Sequence, residues 1–241
     1  MDDGPADIAE SLAMCRRAVE QGTTHAVTTP HIHVGRWDNA VAVIVKSVGL
    51  LRDVLRGEGV PLEIGFAGEV RLTDQLPRQV SSDAIPFYGE IDGYRVMLLE
   101  FPHGHIPPGS DKLVIWLLSR KIRPLIAHPE RNKQVMRNVD SIYPFVEAGC
   151  WLQLTAGAVC GHFGEGARSA ADHLLREDLV AVVASDAHNL RARPPGLREA
   201  YDSIAEGFGD ARAERLFCST PAALIEEQFR CSRKFSSIAG V

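Results

Sequence analysis

The chain reads as one α/β domain, a β/α barrel, on three observations. Short apolar runs alternate with stretches at helical spacing, and runs such as Val96-Met97-Leu98-Leu99 and Val180-Ala181-Val182-Val183 are apolar throughout instead of alternating. Strands that are apolar on both faces belong to a parallel sheet covered by helices. The third observation is that four runs end in metal-ligand residue types: Thr29-Pro30-His31, Gly68-Glu69, Ala127-His128-Pro129-Glu130-Arg131 and Ser185-Asp186-Ala187-His188. Ligands delivered from several strand ends into one mouth are how such a barrel builds a polynuclear metal site. The pattern points to a metallohydrolase.

The elements follow in order. Ile8, Leu12, Cys15 and Val19 recur at helical spacing after the start signal Pro5, and Gly22 supplies the stop. A strand over 25–29 feeds His31, and helical spacing returns over 38–56 through Val41, Ile44, Val45, Val48, Leu51, Val54 and Leu55. Further strands are expected over 62–69, 94–101, 124–128, 151–155 and 180–186. Helices are expected near 111–121, 141–148 and 166–176, with three more after Pro195. Six strands thus alternate with helices, and the longest irregular stretch, 72–93, sits where it would shape the mouth. Residues 1–230 read as a single domain and 231–241 as a loosely held tail.

At 241 residues the chain is long enough for one large core. With 31 acidic against 26 basic residues, a net charge of -5, it offers no basic field for nucleic acid. No apolar run approaches the roughly 20 residues of a membrane span. Five scattered cysteines without C-x-x-C spacing, and no signal peptide, fit a reduced cytoplasm. The C-x5-R loop of a cysteine phosphatase is absent: Cys160 is followed by Gly161-His162-Phe163-Gly164-Glu165-Gly166.

Asp2-Asp3-Gly4-Pro5, Thr29-Pro30-His31, Gly68-Glu69-Val70-Arg71, Leu99-Glu100-Phe101, Ala127-His128-Pro129-Glu130-Arg131, Leu154-Thr155-Ala156-Gly157 and Ser185-Asp186-Ala187-His188 with Arg193-Pro194-Pro195 carry a resemblance. In this order and spacing they resemble the PHP (polymerase and histidinol phosphatase) superfamily. Within it, the combination looks like the bacterial manganese-dependent protein-tyrosine phosphatases of capsular and exopolysaccharide gene clusters. The resemblance implies a distorted seven-stranded β/α barrel with up to three Mn2+ ions, Zn2+ or iron being the alternatives. It implies that Asp3, His31 and His188 share one ion, and that Glu69, Glu100 and His128 hold a second with Glu69 bridging. A third would use Glu69, Asp186 and a His-x-His pair on a first strand that this sequence does not contain. Either the start is placed too late or the chain is truly short; in the second case a weakened or vacant metal site and reduced catalysis are expected. Arg131 and Arg193 would grip phosphoryl oxygens. The implied substrate is a phosphotyrosine protein, a bacterial tyrosine kinase governing polysaccharide export. The rivals are a small-molecule phosphatase of histidinol phosphate type and a non-catalytic regulator that binds such a kinase. Oligomeric state is not legible.

The chemistry also stands without the name. Imidazole and carboxylate ligands without thiolates suit manganese, zinc or iron, and a bridging carboxylate holds ions about 3.5–4 Å apart. A hydroxide held between them would attack phosphorus in line, so no covalent protein nucleophile is needed. A phenolate, with a parent pKa near 10, leaves more readily than an alkoxide. Against this, each residue has a plain structural reading: Asp2 and Asp3 could cap the first helix, Arg131 and Arg193 could form salt bridges, and Trp37, Trp116 and Trp151 read as packing. His103 and His105, in a Pro- and Gly-rich loop, read as rim or substrate contacts; His25, His162 and His173 read as structural or solvent-facing.

Overall fold

Apolar runs become strands, but two of them bend in the middle. The computed structural model describes residues 1–236, with side chains described as far as Arg230. Its strands are β1 (His25–Thr28), β2 (His31–His33), β3 (Trp37–Asp38), β4 (Glu63–Phe66), β5 (Glu69–Arg71), β6 (Glu90–Ile91), β7 (Tyr94–Glu100), β8 (Ile122–Ala127), β9 (Trp151–Thr155) and β10 (Val180–Ala184). β1 pairs with β4 in parallel, and the remaining strands form one sheet in the order β10-β9-β8-β7-β5-β2-β3, with β6 on β7. All pairs are parallel except the β2–β3 hairpin and β6–β7.

The expected strand 62–69 is therefore two strands, β4 and β5, in different sheets. The ladder crosses the break through Ala67 N–H to Thr28 O at 2.9 Å and Glu69 N–H to Pro30 O at 3.1 Å. Pro30 has no N–H to give, and Gly68 lies so close to Ile32 that a Cβ would stand 2.8 Å from its side chain. The expected irregular stretch 72–93 is partly ordered too, as helix Leu76–Ser81 and β6.

Helices Val41–Gly57, Ser110–Ser119, Glu165–Arg176 and Arg198–Phe208 stand close to their expected positions. The first helix, Ile8–Glu20, is capped by Asp7, whose carboxylate accepts from Glu10 N–H, so neither Asp2 nor Asp3 is its cap. Helix Thr220–Ser236 runs into the expected tail, and 237–241 lie outside the described residues. Among the described residues no helix is long and apolar enough to cross a membrane.

The pleat of β7 shows how the fold aims its chemistry. Met97 and Leu99 join Ile44, Val114, Leu117 and Leu174 in a core between sheet and helices. Val96 and Leu98 face the other way, with Ala67, Leu125, Val182 and Leu224. Burying one such side chain stabilises by about 2 kcal/mol. Alternation fixes the next residue of the inner row: Glu100 follows Val96 and Leu98 onto the inner face, at the strand's C-terminal end. β1, an edge of the small sheet, and β10, an edge of the large one, line a cavity of ≈ 610 Å³ through Ala26, Val27, Val182 and Val183. Among the described residues no strand pairs between these two edges.

Candidate metal centre

The N-terminal turn, the strands and the loops that follow them bring seven acids and histidines to one mouth, as two trios plus Asp186. In the first trio His31 Nε2 and His188 Nε2 each lie 3.4 Å from Asp3 Oδ1. In the second, His128 Nε2 lies 3.0 Å from Glu69 Oε1 and 3.8 Å from Glu100 Oε1. The donor atoms of each trio fall within 4.8 Å of one another. Glu69 joins the two: its other oxygen, Oε2, lies 3.3 Å from His31 Nδ1.

Local structure sets each side chain. Asp2 carries no ligand atom of either trio; its carboxylate accepts from His31 N–H at 2.8 Å and Gly4 N–H at 3.2 Å, tying the Asp2-Asp3 turn to the head of β2. His128 and Asp186 adopt positive φ, 35° and 48°, a conformation that non-glycine residues seldom take and that functional sites concentrate. His128 N–H donates to Gln153 O at 2.8 Å, which holds the turn against β9. Asn189 Oδ1 accepts from the N–H groups of Arg191, Ala192 and Arg193, closing the turn that presents both His188 and Arg193. His188 Nδ1 lies 2.8 Å from Asp186 O, so that nitrogen carries the proton and the Nε2 lone pair beside Asp3 is left free for a cation.

Electrostatics favours a cation here. Glu69 and Glu100 are 5% and 6% exposed, two carboxylates buried side by side, a repulsive arrangement unless positive charge joins them. Burial opposes a charged His128, yet the hydrogen bond and charge of Glu69 override it and hold its pKa at about 9. Burial likewise opposes ionisation of Asp186, but His128 and Arg131 bring its carboxyl below the usual range. Imidazole and carboxylate donors in two compact sets suit divalent Mn, Zn or Fe, so the residues present fit a metal centre.

Asp186 lies at the same mouth but faces the arginines. Arg131 Nη1 pairs with its Oδ2, and Arg193 Nη1 lies 3.6 Å from the same oxygen. Arg193 also donates to Asp3 Oδ2 at 3.2 Å. The Arg131 guanidinium rests on the Phe163 ring, 4.4 Å from its centroid.

Several residues outside the expected set shape this mouth. Trp37, which reads as packing in the sequence, stacks on the His31 ring with centroids 4.6 Å apart and planes 9° from parallel. Arg71 lies 2.9 Å from Glu100 Oε2. Neither role is legible along the chain, because both depend on which strands become neighbours; Asn189 alone had a readable signal, as an Asx turn. His103 stands at the rim, its ring 6.4 Å from that of His128. His173 bonds Tyr143 Oη at 2.8 Å, and His162 is exposed beside Glu199. Burial pushes the thiols of Cys15 and Cys160 up to about 11, and that of Cys150 up to about 12, far from a thiolate nucleophile.

Known proteins resemble this chain in sequence and in fold. The chain is 32% identical over 209 residues to tyrosine-protein phosphatase YwqE of Bacillus subtilis (strain 168), covering 87% of this chain and 81% of that one. It is 30% identical over 237 residues to tyrosine-protein phosphatase CpsB of Streptococcus pneumoniae, covering 95% of each. A solved structure from work on these two proteins, described as metal-dependent tyrosine phosphatases, superposes with a TM-score of 0.81 at 31% identity over 94% of this chain and 87% of that one. The family model for capsular polysaccharide synthesis, CpsB/CapC, matches residues 1–226, and the chain belongs to that family.

Proposed function

We propose that this protein is a metal-dependent protein-tyrosine phosphatase. One observation carries the reading: two imidazole–carboxylate trios, linked through Glu69, open beside two arginines in a single mouth. The relatives named above share the fold and the activity class.

Asp3, His31 and His188 would hold one ion and Glu69, Glu100 and His128 another, with Glu69 between them; Asp186 stands by as a further ligand. Bound ions of this kind supply Lewis acidity and bring the pKa of water toward neutrality. The chain's own residues do the rest. Arg131, flat on Phe163, and Arg193, braced by the Asn189 turn, present planar N–H forks to the phosphoryl oxygens, where charge grows in the transition state. Phosphoryl oxygens would compete with Asp186 for the same forks, which keeps the arginines positioned before substrate arrives. Partly buried His31 and buried His128 exclude bulk water from the donors. A phenolate leaving group, with a parent pKa near 10, departs without a strong general acid.

The ion we favour is Mn2+, the one the family resemblance implies, and the oxygen and imidazole donor set suits it as it suits zinc or iron. The substrate we favour is a bacterial tyrosine kinase governing polysaccharide export, in the cytoplasm, and residues 1–230 act as the catalytic unit. The test is hydrolysis of a phosphotyrosyl peptide against an alkyl phosphate, with and without Mn2+. Metal-dependent turnover of the peptide, at least about a hundredfold above the alkyl ester, supports the reading. No turnover with any divalent ion contradicts it, and preference for the alkyl ester would favour a small-molecule phosphatase.

A further inference from the structure

The mouth carries a second row of polar side chains that the reaction does not use. Parallel register sets it out: His31 pairs with Glu69 and Ile32 with Val70 across β2 and β5, and Arg71 pairs with Glu100 across β5 and β7. Residues two apart on a strand share a face. His33 and Arg71 therefore stand on the face of His31 and Glu69, one level further along their strands.

Arg71 touches Glu100 through a single nitrogen, Nη1, and its side chain stays 21% exposed. A guanidinium has five N–H groups, so one such contact leaves a fork to offer. Arg36, on the exposed turn between β2 and β3, lies over Trp37 at 4.1 Å and completes the outer end. On the other side stands His103. Its pKa is lowered, by burial first and then by the charges of Arg131 and His128, with Arg71 also within reach. The carboxylate of the hairpin, Asp38, is turned to its own loop, accepting from Gly35 N–H at 2.9 Å. The row thus runs Arg36, His33, Arg71 and His103, cations and imidazole donors beside the metal donors. The Asp186 side, by contrast, already has its arginines paired with carboxylates.

We propose that this row, centred on Arg71, is a second anion site that receives an acidic side chain flanking the phosphotyrosine, so that the protein selects acidic phosphopeptides. The proposal rests on the phosphatase reading and deepens it. A flanking carboxylate can take two N–H groups of Arg71 while Nη1 keeps Glu100, and an imidazole N–H of His33 or His103 can add a third bond. One charge-assisted contact of this kind is worth about a tenfold preference.

The experiment compares one phosphotyrosyl peptide in three forms, with Glu, Gln or Lys at the flanking positions. Each is also made with a non-hydrolysable phosphonate, and binding to the metal-loaded protein is read by fluorescence anisotropy. The expected order of binding and of kcat/KM is Glu, then Gln, then Lys, with about tenfold between the first two. Arg71→Gln should bring that preference below about twofold, and Arg36→Glu, on an exposed turn that folding does not depend on, should also weaken it. No preference in the wild type overturns the proposal. So does an Arg71→Gln variant that loses affinity equally for all three peptides, since Arg71 would then serve only Glu100. Phosphonate binding without hydrolysis of any peptide would count against the phosphatase reading alone, and the order of binding would still judge the row.

Discussion

Metal uptake at the Glu69–Glu100–His128 trio should be strongly pH-dependent, because one of its donors carries a proton. The His128 pKa stands at about 9, burial being outweighed by the bond and charge of Glu69, 3.0 Å away. A cation needs the same Nε2 lone pair, so it must displace that proton. Below about pH 9 the apparent affinity of this trio should fall about tenfold per pH unit, or about 1.4 kcal/mol. From about pH 8 to about pH 6.5 the loss is then roughly thirtyfold, about 2 kcal/mol. Isothermal titration with Mn2+ in buffers of different ionisation enthalpy measures both quantities, the affinity and the protons released. The expected result is about one proton released from His128 per ion bound at this trio near pH 7. A flat affinity over that range, with no proton released, would refute the reasoning. The metal-free protein carries the mirror image of this linkage. A raised imidazole pKa contributes stability that is full below the unfolded value of about 6.5 and is lost as pH rises through about 9.

Other expectations are as direct. Arg193→Ala removes one partner of Asp3 and of Asp186, and kcat/KM for a phosphotyrosyl peptide should fall by about a hundred- to a thousandfold; a change under about threefold would take Arg193 out of the reaction. Glu130 is 0% exposed, with Oε1 accepting from Thr155 N–H at 2.9 Å and Oε2 without a partner among the described residues. Burial raises its pKa, so the buried carboxyl costs stability as pH rises above the unfolded value of about 4.3, and Glu130→Gln should gain in Tm over wild type as pH rises through that range. A gain that shrinks over that range would show that the raised carboxyl is not there. At Gly89 an added Cβ would stand 2.4 Å from Leu224 O, so Gly89→Ala should destabilise by about 1–3 kcal/mol in urea unfolding. Wild-type stability in that variant would mean that helix Thr220–Ser236 does not pack there.

Much of this was legible in the chain because each parallel strand announces itself twice, by an apolar run and by the ligand type that ends it. Glu100, His128, Asp186 and His188 stand at or just beyond such ends, His31 and Glu69 open the short strands β2 and β5 that follow β1 and β4, and one mouth gathers them all. What the pattern hides is whatever depends on neighbours. The break between β4 and β5 falls where Gly68 meets Ile32 across the sheet, and the glycine is visible in 62–69 but its neighbour is not. The β2–β3 hairpin has strands of 3 and 2 residues, too short for alternation to register, so Trp37 reads as packing until its ring is found on His31. Arg71 is visible in sequence only as the last letter of a motif; its pairing with Glu100 requires the β5–β7 register. The cap of the first helix was masked for a simpler reason, since Asp2, Asp3 and Asp7 all precede it and only Asp7 has its carboxylate on Glu10 N–H.

The central claim is that two linked trios in one mouth hold the ions of a phosphatase. Anomalous scattering from crystals soaked in Mn2+, recorded on both sides of the manganese edge, tests it most directly. The account predicts one peak among Asp3, His31 and His188 and another among Glu69, Glu100 and His128, about 3.5–4 Å apart. Peaks elsewhere on the molecule, with both trios empty in crystals of a protein that hydrolyses phosphotyrosine, would contradict it.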